Sequence, residues 1–302
     1  MSQPKTNLAS KTVFFIIKVA KKLFYNTPVH RWKPITIIYT KLFHLIYPAG
    51  KEVDVTYEGC TFRIPTNDIT ILPSMLNNDY EKFEIELLRK LAQPETTFAD
   101  VGANIGLFSA VASKIVGENG RVFAFEPEPD NFALLNYNLK ANGMTNVTTV
   151  QTAIGAHADT LKLNLQANSI GTHSLLALPD KTVTSQVEVP VITLDDYFTK
   201  QGVWPQLIKI DVEGYEPFVL EGAQKTLGEV KTLMLEYMKS QITANYGVDK
   251  FTSLLASFPY LYRIDEAKRR LEPIAPSDFD HIVYMNLIAT KEPIVTTTKE
   301  GR

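Results

Sequence analysis

Cysteine is nearly absent from this 302-residue chain: Cys60 stands alone. An intramolecular disulfide is therefore excluded, which fits a reducing compartment. Long apolar runs are missing too. "VFFII" and "ITIIY", near the N-terminus, fall far short of the roughly 18 residues a membrane-spanning helix needs. Lys18 cuts the first run off and no small-residue cleavage site follows, so a secretory leader is not expected. No C-x-x-C or His-x-x-x-His arrangement occurs, which argues against a zinc site. Neither a G-x-G-x-x-G nor a Gly-Lys-Ser/Thr phosphate loop is present. Finally, residues 1–50 contain no Asp or Glu.

What is there is a globular composition, 45% hydrophobic and 21% charged, with net charge −2. That balance hides an asymmetry, because residues 1–50 carry +8 and leave −10 on the remainder. Within the basic segment Val13, Ile16, Ile17, Ala20 and Phe24 recur at helical spacing, while Lys11, Lys18 and Lys22 share another face. A helix over 11–25 and a second over 35–47 are expected. Such an arm either packs on the main domain or rests on anionic lipid. The expectation is a cytoplasmic protein with at most peripheral contact at the inner membrane surface. The acidic remainder lacks the basic stripe that nucleic acid requires, so nucleic acid is not an expected partner.

"EVDVTYEGCTFRIP" alternates apolar residues around Glu58-Gly59 and predicts a β-hairpin, followed by a lead-in helix over 79–92. From residue 96 strands and helices alternate: "TTFADV", a helix over 105–116, "RVFAFE", a helix over 129–142, then "NVTTVQTAIG" as one strand. "LKLNL", "VEVPVITL", "QLIKIDV", a helix over 216–227, "TLMLEYM", a helix near 249–258, "LYRID" and "HIVYMNLIAT" complete the pattern. That alternation predicts a doubly wound α/β sheet. The expected organisation is a helical arm over 1–50, hairpin and lead-in helix over 51–95, a main domain over 96–291 and a loose tail over 292–302.

In such a sheet a ligand sits at the carboxyl ends of the strands. Asp100 ends the first strand of the main domain, and Gly102 and Gly106 fall on the turn after it. Asn104 stands where a dinucleotide-binding turn has its middle glycine, and an acid precedes the turn, so the pocket invites a cation. Glu126, at the tip of the second strand, suits the two hydroxyls of a ribose. A nucleoside with a positively charged, amino-acid-like end meets both demands. S-adenosylmethionine has that composition. A nucleoside-binding module without turnover and an NAD-dependent oxidoreductase are the alternatives; the second suffers from the missing glycine.

"FADVGANIGLFSA", "AFEPEPDNFALLNYNL", "TAIG", "VPVITLDDYF", "IKIDVEGYEPFVLEGA" and "LMLEY" resemble, in order, the motifs of the FkbM-type methyltransferases. The resemblance covers about residues 80 to 265. It implies a seven-stranded Rossmann-like sheet whose last strand, "HIVYMNLIAT", is antiparallel. It implies S-adenosylmethionine as cofactor, with Asp100, Gly102, Asn104 and Gly106 along its methionine and ribose portion. Glu126 would hold the ribose hydroxyls, with Thr152 and Ala153 at the adenine edge. The implied reaction is O-methylation of a hydroxyl on a sugar, glycan or small metabolite. For proton removal Asp211, Glu213 and His173 are the candidates. The acid pair Asp195-Asp196 reads as a capped helix start, and no metal is expected.

Overall fold

The structure, a computed structural model, describes residues 41, 43–166, 169–177 and 183–294. The basic helix expected over 11–25 lies outside the described residues, as do most of the one over 35–47 and the tail from 295. The chain divides into two compact units, residues 1–80 and 81–302.

In the first unit β1 (Glu52–Tyr57) and β2 (Cys60–Pro65) pair antiparallel, with Tyr57 opposite Cys60. Glu58 and Gly59 both take positive φ, 51° and 74°, the geometry a two-residue hairpin turn requires. Val55, Tyr57, Cys60, Phe62 and Ile64 are buried, as their alternation predicts. A short helix, α1 (Ile71–Leu76), was not legible in "ILPSML". Asp68 Oδ1 holds its start, accepting from the Ile71 and Leu72 amides at 2.6 and 3.1 Å.

The second unit opens with α2 (Lys82–Leu91), β3 (Thr97–Val101), α3 (Leu107–Val116), β4 (Arg121–Phe125), α4 (Pro129–Ala141) and β5 (Val147–Val150). Then come β6 (Ala153–Ile154), β7 (Asp159–Gln166), β8 (Val183–Ile192), α5 (Leu194–Gln201) and β9 (Leu207–Ile210). After α6 (Glu216–Glu221), α7 (Gln224–Glu229) and β10 (Thr232–Met238) follow α8 (Lys239–Asn245) and α9 (Val248–Leu254). β11 (Tyr260–Asp265), β12 (Arg270–Ile274) and β13 (Tyr284–Thr290) end the described fold.

The large sheet runs β12-β11-β13-β10-β9-β3-β4-β5. β5, β4, β3, β9 and β10 are mutually parallel, and β13 enters antiparallel between β10 and β11. Seven strands thus stand as expected, with the last antiparallel. An eighth, β12, pairs with β11 at the edge. "NVTTVQTAIG" is not one strand: β5 closes the large sheet, and β6 joins a smaller one ordered β6-β8-β7. The helix expected over 216–227 is likewise two, α6 and α7.

The central strands have two unlike faces, because side chains alternate along a strand. Ala99, Val101, Ile208, Ile210, Leu233 and Leu235 enter one apolar core with residues of α5, α6, α7 and α9. Phe198 of α5 meets Phe123 edge to face at 5.3 Å there. On the opposite face Asp100, Lys209 and Met234 align across β3, β9 and β10. α3 lies on that side, where the Lys209 ammonium sits 4.5 Å from the Phe108 ring centre. All five parallel strands bring their carboxyl ends to one edge.

Candidate active site

Asp100 is buried at the end of β3, 1% exposed. The Ser109 hydroxyl donates to its Oδ2 at 2.6 Å, while Oδ1 is buried without a partner. Burial pushes its carboxyl up; Lys209 and Ser109 oppose that. The turn then folds back on β4: the amides of Gly102 and Ala103 both donate to the Phe125 carbonyl, at 3.0 and 2.9 Å. Gly102 has φ 84°, and a Cβ there would lie 1.9 Å from the Asp211 carbonyl oxygen. Its missing side chain is what lets the chain after β9 come close. Gly106, at φ 90°, likewise opens the way for Leu135 of α4, 2.6 Å from where its Cβ would be.

Asn104 occupies the left-handed region at φ 50°, which asparagine tolerates better than most residues. Its amide donates to Glu126 Oε2 at 2.8 Å, and its own Oδ1 is buried without a partner. Glu126 Oε1 accepts from the Glu128 amide at 3.0 Å. Burial lifts the Glu126 carboxyl to about 7, against the pull of those two amides. Each carboxylate oxygen keeps acceptor capacity beyond its single bond. Three acceptors therefore stand at or just past the carboxyl ends of β3 and β4: Asp100 Oδ1, Asn104 Oδ1 and Glu126. They suit a ligand rich in donors, as hydroxyls and an ammonium are. Thr152 and Ala153 lie just past the tip of β5. The Thr152 hydroxyl donates to the Pro190 carbonyl at 2.9 Å, and Ala153 pairs with Val191, so both are held by the small sheet.

The tip of β9 supplies the other side. Asp211 Oδ2 meets the Lys209 ammonium at 2.8 Å; the lysine side chain is 7% exposed and the aspartate 33%. Burial alone would lower the Lys209 pKa, but Asp211, Glu81 and Asp100 together drive it up. Glu213 sits at φ 53° in the turn that follows. Glu216 Oε1 braces this turn, accepting from the Val212 and Gly214 amides at 3.0 and 3.3 Å. The Ser174 hydroxyl donates to the Glu213 carbonyl at 2.8 Å, which draws the 169–177 segment to the same turn. Its neighbour His173 accepts at Nδ1 from the Gln166 amide at 3.1 Å. Asp211, Glu213 and the His173 loop are thus brought together.

Sequence reasoning missed the next strand over. Glu236 of β10 lies opposite Asn286 of β13 and is 9% exposed. Asn286 Nδ2 in turn donates to Glu84 of α2. The only local signal was the acid within the apolar run "LMLEY". Asp195, by contrast, is structural: its carboxylate accepts from the Lys225 and Thr226 amides at 2.9 and 2.7 Å. Thr193 caps α5 by accepting from the Asp196 amide at 2.9 Å. Among the described residues no group of three or more His, Cys, Asp or Glu is arranged to hold a metal ion. Among them, too, no helix is long and apolar enough to cross a membrane.

With this geometry in hand, comparison with known proteins is decisive at one level. The Methyltransferase FkbM domain matches residues 100–271, more than half of the chain.

The chain belongs to the FkbM methyltransferase family.

The matched domain is a methyltransferase domain. The reading as an NAD-dependent oxidoreductase falls with that. A hexuronic acid methyltransferase, AglP, of Haloferax volcanii is 29% identical over 161 residues, 52% of this chain and 62% of that protein. The chain thus matches less than two thirds of that relative's length. Methyltransferase 1 of Beauveria bassiana is 28% identical over 182 residues, 49% of this chain and 71% of its own. Among solved structures, an rRNA methylase from Streptococcus thermophilus aligns with 70% of this chain and 96% of its own, at 10% identity and TM-score 0.40.

Proposed function

We propose that this FkbM methyltransferase O-methylates a hydroxyl of a sugar, glycan or small metabolite. The observation that carries the reading is Glu126 together with the unpartnered Asp100 Oδ1 and Asn104 Oδ1 beside the glycine turn. Buried acceptors without donors cost about 1–3 kcal/mol each, a penalty that a bound donor-rich ligand removes. Asp100, Gly102, Asn104 and Gly106 would line the methionine and ribose portion of S-adenosylmethionine. Glu126 would accept from the two ribose hydroxyls, and Thr152 and Ala153 would border the adenine.

When bound, the cofactor supplies an electrophilic methyl group on a positively charged sulfur. The chain's part is to orient the acceptor oxygen about 3–3.5 Å from that carbon and to take its proton. Asp211 and Glu213 place carboxylates beside the site, where they favour a cationic donor. Asp211, Glu213 and His173 are also the groups from which the sequence draws a proton acceptor.

The sugar class draws support from the Haloferax relative, whose name specifies hexuronic acid. The acidic balance outside residues 1–50 favours an acceptor that carries no chain of phosphates. Transfer of labelled methyl groups from S-adenosylmethionine to neutral glycosides, uronic acids and total RNA tests the proposal. Labelling of a neutral glycoside is expected. Labelling of RNA alone would overturn it. The basic N-terminal segment adds a peripheral contact with anionic membrane, and equal flotation with and without residues 1–50 would overturn that contact.

A further inference from the structure

We propose that Glu236 is the proton acceptor of the reaction, and that Glu236, Asn286 and Glu84 form the subsite for a neutral acceptor hydroxyl. This rests on the O-methylation reading above.

The placement follows from sheet register. Leu235 of β10 pairs with Ile210 of β9, so the next residues along, Glu236 and Asp211, are neighbours at the carboxyl edge. Asp211 in turn donates its amide to the Val101 carbonyl at 3.0 Å and packs its carbonyl against Gly102. Glu236 therefore lies two strand spacings, about 10 Å, from the glycine turn. It shares a face with Lys209, Asp211 and Asp100.

Glu236 is more than nine-tenths buried, and its Oε2 has no hydrogen-bond partner. The Tyr284 hydroxyl, from β13, donates to Asn286 Oδ1 at 3.4 Å. Asn286, opposite in register, extends the polar row to Glu84 on α2.

The neighbouring groups are already committed. Asp211 Oδ2 is taken up by its ion pair with the Lys209 ammonium. Glu216 Oε1 is taken by two backbone amides. Its Oε2 is also unpartnered, but the residue is completely buried at the start of α6, with no strand-edge access of the kind Glu236 has. His173 Nδ1 accepts a backbone amide, so in the neutral ring the other nitrogen carries the hydrogen. Glu236 keeps an open oxygen.

The charges facing Glu236 are Asp211, Glu213 and Glu216 from the β9 tip, which disfavour its ionised form, while Tyr284 favours it. Burial is the largest influence and drives the pKa upward, which makes the ionised carboxylate the stronger base. Glu84 is itself lifted to about 8 by burial and Glu81. Glu236, Asn286 and Glu84 thus line up polar groups suited to the hydrogen bonds of an acceptor hydroxyl.

The step balances. The acceptor O–H bond breaks and its proton passes to Glu236 Oε2 while the oxygen forms its bond to the methyl carbon. The electron pair of the cleaved carbon–sulfur bond stays on sulfur, which leaves as a neutral thioether.

The test uses the full chain and Glu236→Gln, with Asn286→Ala as a second variant. Infrared titration of the ligand-free proteins follows the protonated-carboxyl band with pH. The wild type should lose a high-pH component that E236Q lacks. Calorimetry should find S-adenosylmethionine affinity unchanged within about twofold in E236Q. With methyl glucoside and related neutral glycosides as probes, E236Q should lose about 100-fold or more in kcat. Glu236→Asp should keep part of the rate with a shifted pH profile, and N286A should raise KM more than it lowers kcat. Wild-type rates in E236Q, or no missing infrared component, would overturn the role of Glu236 and leave O-methylation standing. Wild-type transfer confined to glucuronic acid carboxylates or RNA would instead overturn the reading of a sugar or small-metabolite hydroxyl as acceptor, and this subsite with it.

Discussion

At the scale of single residues, the turn after β3 is fixed by close approach as much as by ligand. Gly102→Ala would drive a Cβ into the Asp211 carbonyl at a φ that alanine disfavours. The expected loss is well over 1 kcal/mol in denaturant unfolding, with weaker cofactor binding besides. The turn was legible because its signals are adjacent: an acid ending an apolar run, then two glycines. Glu126 was legible for the same reason, as an acid directly after "RVFAF". Glu236, Asn286 and Glu84 were not. They come from three segments spread over some two hundred positions, and only the register of β10 with β13 and the seat of α2 bring them together.

The buried acids set a pH dependence whose sign is unusual. Glu84 and Glu216 are lifted to about 8 and Glu126 to about 7, chiefly by burial, against an ordinary value of 4.5. Between those values the folded protein binds more protons than the unfolded chain. Their stabilisation is therefore complete below about 4.5 and is lost as pH rises through 7 and 8. The melting temperature of the ligand-free protein should fall between about pH 5 and pH 8. Glu84→Gln should make that fall shallower. A melting temperature that rises over the same interval would contradict the account.

Among elements, the strands of the parallel sheet were readable because each is a short, continuous apolar run that both faces bury. Their reading failed where a run continued but the sheet did not. Beyond Val150 the chain leaves β5, and "TAI" is captured by β8, with the Thr152 hydroxyl on the Pro190 carbonyl as the tie. β12 was hidden by "RRLEPI", whose charges and Pro273 suit an edge strand and little else. The start of α5 was legible from the acid pair Asp195-Asp196, while its cap, Thr193, emerged only from the structure. Phe198 of that helix is fully buried and meets Phe123 and Phe125 edge to face. Phe198→Ala should cost about 3–5 kcal/mol in chemical unfolding. A loss below about 1 kcal/mol would mean that α5 does not seal this core.

At the scale of the whole molecule, the charge distribution bears on partners. With +8 on residues 1–50 and −10 on the rest, the methyltransferase unit has no electrostatic claim on a polyphosphate backbone. RNA should bind weakly, and any binding should vanish when residues 1–50 are removed. A filter-binding assay at physiological salt checks this, and tight RNA binding by the truncated protein would contradict it.

The account stands or falls on what the acceptors beyond β3 and β4 hold. The most direct measurement is calorimetric titration of S-adenosylmethionine into the wild type, Glu126→Ala and Asp100→Ala, each first confirmed to be folded. One molecule per chain should bind to the wild type, with affinity reduced by about tenfold or more in each variant, the worth of one or two lost charge-assisted hydrogen bonds. Wild-type affinity in both variants would place the cofactor elsewhere and contradict the account.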